Sequence, residues 1–207
     1  MFDVVVSGIA LIVTLPVSLV VAVLVLVLEG RPVIFRQERV GRNGEHFHIL
    51  KFRSMRSNAE GSHLTMSGDE RITKLGRVLR HTKLDELPQL VNVLIGTMSL
   101  VGPRPEVAKN VTRWPKADRD IILSARPGLT SPATIAYRLE QRHLATVEGD
   151  HEEYYFDVIM PRKVAMNVDY VRNRTFLGDL LLIARTIRAV VAPSPYDSSA
   201  PPGGTVV

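Results

Sequence analysis

The stretch VVVSGIALIVTLPVSLVVAVLVLVL, residues 4–28, carries no charged side chain and decides the character of the chain. As a straight helix rising about 1.5 Å per residue it would be ~37 Å long. A bilayer core needs about 20 apolar residues, so the stretch predicts a membrane helix. A cleaved signal peptide does not fit. The only charged residue before the apolar run is Asp3, which is acidic instead of basic, and no small-residue cleavage pattern follows the run. We therefore expect the segment to be retained.

Pro16 lies near the middle of this stretch, where a proline removes a backbone hydrogen bond and kinks a helix. The residues alone leave two topologies open: a kinked single span, and a re-entrant hairpin with both ends on one side of the membrane. The arginines that follow the stretch are Arg31, Arg36, Arg39 and Arg42. By the positive-inside rule they predict that the following domain lies in the cytoplasm.

The composition points to an anionic partner. The 207 residues suffice for one globular domain plus an appendage. A net charge of +5 and a sequence pI near 9.7 favour lipid headgroups or nucleotide phosphates. Nucleic acid is not expected as a partner, because aromatic residues are sparse, Trp114 is the only tryptophan and no nucleic-acid-binding motif occurs. The absence of cysteine excludes a disulfide framework and a thiol nucleophile.

The remainder of the chain predicts an α+β fold, predominantly helical with one small β-hairpin. The hairpin spans residues 33–53, with Gly41-Arg42-Asn43-Gly44 as its turn. Residues 56–69 are polar and predict a loop. Helices are predicted over residues 71–81, 87–95, 106–124 and 152–159, from Pro161 onward, and after Thr175 as N-cap.

The end of the chain predicts a second membrane-associated element and a tail. Residues 176–191, FLGDLLLIARTIRAVV, are apolar on nearly every side. Such a helix lies either in a core or at the membrane interface with its arginines reaching water. Residues 193–207 are dominated by Pro, Ser and Gly and predict disorder. We therefore divide the chain into a membrane helix (1–30), a cytoplasmic domain (31–192) and a tail (193–207).

Asp85 and Glu86 form the most informative pair of acidic residues. Thr82, three residues before Asp85, predicts a capping box at the start of a helix, where carboxylates stay ionised. Capping alone is one interpretation. The other is chemical, since a carboxylate can attack a phosphate as a nucleophile and one or two carboxylates can hold Mg²⁺.

Phosphoryl transfer also requires cations that neutralise the phosphates. The cations that we assign to this role are Lys51, Arg53, Arg80 and Arg104. Each alone would be read as a surface cation. Pro103 and Pro105 fix the backbone on both sides of Arg104, which orients its guanidinium for bidentate contact with a phosphate.

Several longer motifs stand in a fixed order along the chain. They are FRQERVG (35–41), KFRSM (51–55), RIT (71–73), LDELPQL (84–90), MSLVGPRPE (98–106) and RPG (126–128). In these motifs the chain resembles the bacterial sugar transferases, the monotopic polyprenyl-phosphate phosphoglycosyl transferases. The resemblance covers the chain from the apolar leader to about residue 192.

The resemblance implies a reaction and a site. Asp85 would attack the sugar-bearing phosphate of a UDP-sugar, release UMP and carry the phosphosugar until polyprenyl (undecaprenyl) phosphate accepts it. Glu86 would support the site, and Mg²⁺ would be held by Asp85 and Glu86. The implied substrate contacts are Lys51, Arg53, Arg80, Arg104, Glu106 and Arg126.

The resemblance also implies a place in the cell. It favours the re-entrant topology, with the break at Pro16, and a monotopic protein on the cytoplasmic face of the bacterial inner membrane. The reaction would be the first membrane step of glycan assembly. The alternative is a membrane-tethered, non-catalytic scaffold that binds anionic lipid or nucleic acid. The sequence leaves open whether two copies form a homodimer.

Overall fold

The computed structural model describes residues 1–56, 69–140 and 144–191, and this part of the chain is mostly helical with two small sheets. The elements are α1 (Phe2–Glu29), β1 (Ile34–Val40), β2 (His46–Phe52), α2 (Lys74–Thr82), α3 (Gln89–Leu94), β3 (Ser99–Val101), α4 (Ala108–Val111), α5 (Lys116–Ser124), β4 (Gly128–Thr130), α6 (Pro132–Ala136), α7 (His151–Tyr154), α8 (Met160–Asn173) and α9 (Phe176–Val191). The predicted tail 193–207, and the predicted loop 56–69 except for its ends, lie outside the described residues.

Helix α1 confirms the long apolar N-terminal helix. The break predicted at Pro16 is wrong: the backbone stays helical through this residue, because the φ of about −65° that the proline ring imposes is itself helical. Among the described residues it is the one helix long and apolar enough to cross a membrane. Both of its ends contact the rest of the protein: the Ser99 hydroxyl donates to Asp3 Oδ2 (2.7 Å), and the Thr73 hydroxyl donates to Glu29 Oε1. Between these ends, side chains such as Ile12 project outward with 74% exposure. The re-entrant path stays a prediction.

The predicted hairpin is confirmed. Strands β1 and β2 pair antiparallel from Ile34 opposite Phe52 to Val40 opposite His46. The connecting turn requires a left-handed backbone, which Asn43 (φ 56°) and Gly44 (φ 83°) supply. Phe52 packs with Val21 and Val25 of α1, so the hairpin lies against the membrane helix.

Helix α2 begins three residues later than the predicted start at Arg71. The reason is a local cap, because the Thr73 hydroxyl accepts the Gly76 N–H at 2.8 Å. Gly76 also lets α2 approach the hairpin strand's end, since a Cβ there would lie 2.0 Å from the Ser54 carbonyl oxygen. Leu79 of α2 is buried, whereas its neighbour Val78 is 57% exposed.

The prediction of one helix over residues 106–124 is wrong. The structure has two helices, α4 and α5, with Trp114 and Pro115 between them. Proline has no N–H to donate and disfavours helical backbone in the residue before it, so the helix stops and restarts there. Trp114 is buried and anchors a hydrophobic cluster with Ile122 and Tyr155.

A parallel strand pair, β3 with β4, was not predicted. It joins Ser99 to Gly128 and Val101 to Thr130. Two glycines permit the close approach, because a Cβ on Gly128 would lie 2.1 Å from the Gly102 nitrogen, and a Cβ on Gly102 would lie 2.3 Å from the Arg126 oxygen. The Gly128 N–H also donates to the Pro103 carbonyl (2.9 Å), which fixes the loop that carries Arg104.

The C-terminal helices follow the prediction. A wider helical segment, Tyr155–Ile159, connects α7 with α8, and Pro161 lies in the first turn of α8. Thr175 caps α9 by accepting the Gly178 N–H at 3.1 Å. Large apolar side chains of α9 remain exposed: Phe176, Leu177, Leu181, Ile187 and Val190.

Candidate active site

Asp85 and Glu86 lie in the short connection between α2 and α3. Helix α2 ends where Lys83 adopts a left-handed backbone (φ 60°), and residues Leu84–Glu86 form a single tight turn before α3. The predicted capping box is wrong, because the Thr82 hydroxyl donates back to the Val78 carbonyl (2.8 Å) instead of accepting an N–H from the next helix. The two carboxylates therefore do not cap through Thr82, and their burial requires another explanation.

Glu86 is held by two cations that come from distant parts of the chain. Its Oε1 accepts from Lys51 Nζ at 3.1 Å and from Arg104 Nη2 at 2.5 Å, and its Oε2 accepts from Arg104 Nη1 at 3.3 Å. Lys51 comes from β2, and Arg104 comes from the loop that follows β3. The structure thus brings together three of the residues assigned to the site from the sequence.

The charged side chains of this cluster shift one another's pKa values. Burial alone would raise the pKa of Glu86, but Arg104 and Lys51 outweigh it and hold that pKa well below its usual range. The pKa of Arg104 is raised, chiefly by Glu86. Lys51 differs, because burial lowers its pKa in spite of the attraction of Glu86, and the Arg104 charge lowers it further. At neutral pH Glu86 is ionised and saturated with donors.

Asp85 stands beside this cluster without an equivalent partner. It is 5% exposed, and its Oδ1 has no hydrogen-bond partner among the described residues. Burial raises the pKa of Asp85, against the opposing attraction of Lys51. Arg80 contributes positive charge from α2, although burial lowers the pKa of its guanidinium. A buried carboxylate with an unused oxygen, surrounded by cations, is equipped to react with an anionic substrate.

Glu106 lies at the far side of the Arg104 loop. Its Oε2 is 3.5 Å from Arg39 Nη1 and accepts from Asn110 Nδ2 at 3.0 Å, and its carbonyl accepts the Val40 N–H at 2.9 Å. These contacts tie the loop to the hairpin. Arg39, which sequence reasoning used only for membrane orientation, also donates to the Pro105 carbonyl at 3.3 Å.

Arg53 and Arg126 stand apart from the carboxylate pair. The Arg53 guanidinium is buried and donates to the carbonyls at the end of α1, those of Arg31 (2.8 Å), Gly30 (2.7 Å) and Glu29. This arrangement neutralises the negative end of the membrane helix. Arg126 is exposed, and its backbone packs against Gly102. Their roles as substrate contacts remain predictions.

Gln89 lies next to the candidate site in the chain, and sequence reasoning did not single it out. It is completely buried, and neither polar atom of its carboxamide has a partner among the described residues. The available signal was its spacing of four residues from Asp85, which is about one helical turn.

The acidic residues can be tested for their fit to Mg²⁺. The residues that the structure describes contain no group of three or more His, Cys, Asp or Glu side chains that could hold a metal. Asp85 fits as a ligand, because Lys51 and Arg104 donate to Glu86 and leave the Asp85 carboxylate without these donors. Glu86 does not fit while its two oxygens accept from Lys51 and Arg104. Since Mg²⁺ needs only one or two carboxylates beside phosphates and water, Asp85 alone meets the requirement.

Known proteins resemble this chain over most of its length. The sequence profile described as "Bacterial sugar transferase" matches residues 1–193. The chain is 34% identical to the exopolysaccharide production protein ExoY of Sinorhizobium fredii, over 91% of this chain and 83% of that protein. It is 34% identical to the UDP-glucose:undecaprenyl-phosphate glucose-1-phosphate transferase of Caulobacter vibrioides, over 91% of this chain and 68% of that protein. It is 35% identical to the undecaprenyl-phosphate galactose phosphotransferase of Salmonella typhimurium, over 92% of this chain and 40% of that protein.

Proposed function

This chain belongs to the bacterial sugar transferase family, and we propose that it transfers a sugar 1-phosphate from a UDP-sugar to undecaprenyl phosphate, the first membrane step of polysaccharide assembly. The names of its relatives in Caulobacter and Salmonella describe this reaction. The observation that carries the proposal is Asp85, a buried carboxylate with an unpaired oxygen beside Lys51, Arg80 and Arg104.

The reaction proceeds in two displacements at one phosphorus atom. An Asp85 carboxylate oxygen attacks the sugar-bearing phosphorus, the bond to the UMP oxygen breaks, and UMP leaves. An oxygen of undecaprenyl phosphate then attacks the same phosphorus, the bond to Asp85 breaks, and the carboxylate is regenerated. Lys51, Arg80 and Arg104 neutralise the phosphates during both steps.

Mg²⁺ would be held by the Asp85 carboxylate together with substrate oxygens. When bound, the ion supplies further neutralisation of the diphosphate charge. Glu86 serves instead to fix the two cations, because its ionised carboxylate accepts from Lys51 and from both terminal nitrogens of Arg104. Glu106 holds the loop of Arg104 from behind through Arg39.

The test is UMP release from a panel of UDP-sugars by purified protein in detergent, with undecaprenyl phosphate and Mg²⁺. We expect release with at least one sugar, abolished by EDTA and unaffected by moderate salt. Salt-sensitive binding of lipid or nucleic acid without UMP release would contradict the proposal and favour a scaffold that binds anions.

We propose that α1 associates with the membrane and that both of its ends lie on the cytoplasmic side, as in the predicted re-entrant topology, so that α1 does not cross. Both ends of α1 contact the same domain, at Ser99 and at Thr73, whereas a spanning helix would carry Asp3 about 30 Å away from it. Exposed apolar residues of α9 extend the surface that faces the lipid, and Phe2 meets Phe176 edge to face (centroids 5.2 Å apart).

The cysteine-free sequence makes this topology directly testable. Val4→Cys reports the start of α1, and Lys74→Cys reports the domain. In intact cells a membrane-impermeant maleimide should label neither variant, and after permeabilisation it should label both. Labelling of Val4→Cys alone in intact cells would mean that α1 spans the membrane.

A further inference from the structure

The carboxamide of Gln89 and the Oδ1 atom of Asp85 are two buried polar groups that lack partners among the described residues. Gln89 is 0% exposed and Asp85 is 5% exposed. Buried polar groups are nearly always hydrogen-bonded, because losing water without gaining a partner is costly. Two such groups in one place indicate a bond that forms in a different state of the enzyme.

The backbone places these two groups one helical turn apart. Hydrogen bonds from Glu86 N to Lys83 O, from Leu87 N to Leu84 O and from Leu90 N to Leu87 O join the turn of Asp85 to α3. Because each of these bonds spans three residues, the turn is tighter than an α-helix, and Asp85 lies beside Lys51 of β2, which attracts its charge. Gln89 is the first residue of α3. Asn92, three residues after Gln89, lies on the same face of α3 and bonds to β2, donating to the His48 carbonyl (2.9 Å) and accepting from the Leu50 N–H (3.1 Å).

The resulting polar stripe, Asp85, Gln89 and Asn92, therefore faces β2, the strand that carries Lys51. At one end of the stripe both polar atoms of the Asn92 side chain are hydrogen-bonded to β2. At the open end, Asp85 Oδ1 and the carboxamide of Gln89 have no hydrogen-bond partner among the described residues. The open end is the one next to the cations of the candidate active site.

We propose that Gln89 is the positioning residue of the nucleophile: in the donor-bound enzyme its carboxamide N–H donates to Asp85 Oδ1 and turns Oδ2 toward the phosphorus. This inference rests on the proposed function. An ionised carboxylate only accepts hydrogen bonds, whereas a carboxamide offers two N–H donors, so the two groups are complementary. Lys51 and Arg104 already donate to Glu86, which leaves the carboxamide of Gln89, four residues after Asp85, as a neutral donor.

The decisive variant is Gln89→Met, which keeps the length of the side chain and removes its polar atoms. We expect kcat for UMP release to fall about 10- to 100-fold, because a misdirected nucleophile reacts slowly. KM for the UDP-sugar should change by less than about twofold, since Gln89 does not bind the donor. The melting temperature in detergent should stay equal or rise, because the variant removes unpaired buried atoms.

Two control variants separate positioning from packing. Leu90→Met introduces the same side chain at the next residue, a buried apolar position, and should keep wild-type kcat. Asn92→Leu removes an amide that is bonded to β2, so it should lower the melting temperature. Unchanged kcat, a proportionate rise in KM, or a loss of stability or folding in Gln89→Met would each overturn the proposal. If the wild-type protein releases no UMP, the proposed function fails instead.

Discussion

Two buried ionic clusters in this protein differ in how their charges are balanced. In the C-terminal cluster, Lys163 Nζ lies 3.0 Å from Glu140 Oε2 and 3.5 Å from the Tyr155 hydroxyl. In the catalytic cluster, Glu86 is shared between Lys51 and Arg104, with Arg80 nearby. The first cluster has one cation for its carboxylate, and the second has a surplus of cations around its saturated carboxylate.

The pKa values of Lys51 and Lys163 shift in opposite directions for this reason. Burial alone would lower the pKa of Lys163, but Glu140, Tyr155 and Glu106 together outweigh it and the pKa is raised. Burial lowers the pKa of Lys51. The attraction of Glu86 does not reverse this shift, because the positive charge of Arg104 also lowers the pKa. The balanced C-terminal cluster stabilises the fold. The catalytic cluster has excess positive charge and an unpaired Asp85 oxygen, so it is suited to bind an anion.

The largest effect is expected from Asp85→Asn, which removes the nucleophile and keeps its shape. We expect kcat for UMP release to fall by roughly 10⁴-fold or more. Membrane association should be unchanged, and the melting temperature equal or higher, because a buried charge is lost. Steady-state kinetics and thermal melting in detergent check both. Activity within tenfold of wild type would mean that Asp85 is not the nucleophile.

Arg104→Lys tests whether the forked guanidinium matters beyond its charge. Lysine cannot contact both oxygens of Glu86 in one plane, so the cluster loses its geometry, and we expect kcat to fall roughly 10- to 100-fold. Arg113→Lys is the matched control, because Arg113 is exposed and lies over the Phe156 ring, 3.7 Å from its centroid. Equal activity in both variants would contradict the bidentate role.

Lys163→Met carries the comparison into the C-terminal cluster. The variant leaves Glu140 without its cation in a mostly buried site, and we expect a loss of about 2–4 kcal/mol of unfolding free energy. The kcat of the folded protein should be unchanged. Denaturant unfolding and the activity per folded molecule provide the measurement. A kcat that falls without a loss of stability would place this cluster in the catalytic machinery.

The smallest effect concerns the pH dependence of stability. Glu86 has a folded pKa below its unfolded value, so its contribution is present above the ordinary glutamate range and is lost as pH falls through the folded pKa. Asp85 has a raised pKa, so its contribution decreases as pH rises above the ordinary aspartate range. Between about pH 6 and pH 3, the melting temperature should fall less steeply for Glu86→Gln and more steeply for Asp85→Asn than for wild type. Parallel curves for all three proteins would contradict the assigned shifts.

The parts of the fold that depend on neighbouring residues could be predicted from the sequence. The hairpin has its own turn residues in Asn43 and Gly44, and α9 has its cap in Thr175. The length of the apolar stretch alone predicts the membrane helix α1. In contrast, β3 and β4 are three residues each and pair across a separation of about 29 residues, so no local pattern marks them.

The same limit applies to the site. The chemistry of the side chains and the family motifs both point to Asp85, Glu86, Lys51 and Arg104, and the structure brings the last three together. Arg53 carries the same charge as Arg104, yet it caps the end of α1, because only the fold determines which acceptors a cation reaches. The missing partner of Gln89 is likewise visible only after packing has excluded water.

The covalent intermediate tests the central claim most directly. Purified protein is incubated with a UDP-sugar and Mg²⁺ in the absence of undecaprenyl phosphate, then digested at acidic pH and analysed by mass spectrometry. We predict that the peptide containing Asp85 gains the mass of one phosphosugar, that UMP appears in matching amount, and that undecaprenyl phosphate removes the adduct. UMP release that requires both substrates together, with no adduct on any peptide, would contradict a covalent role for Asp85.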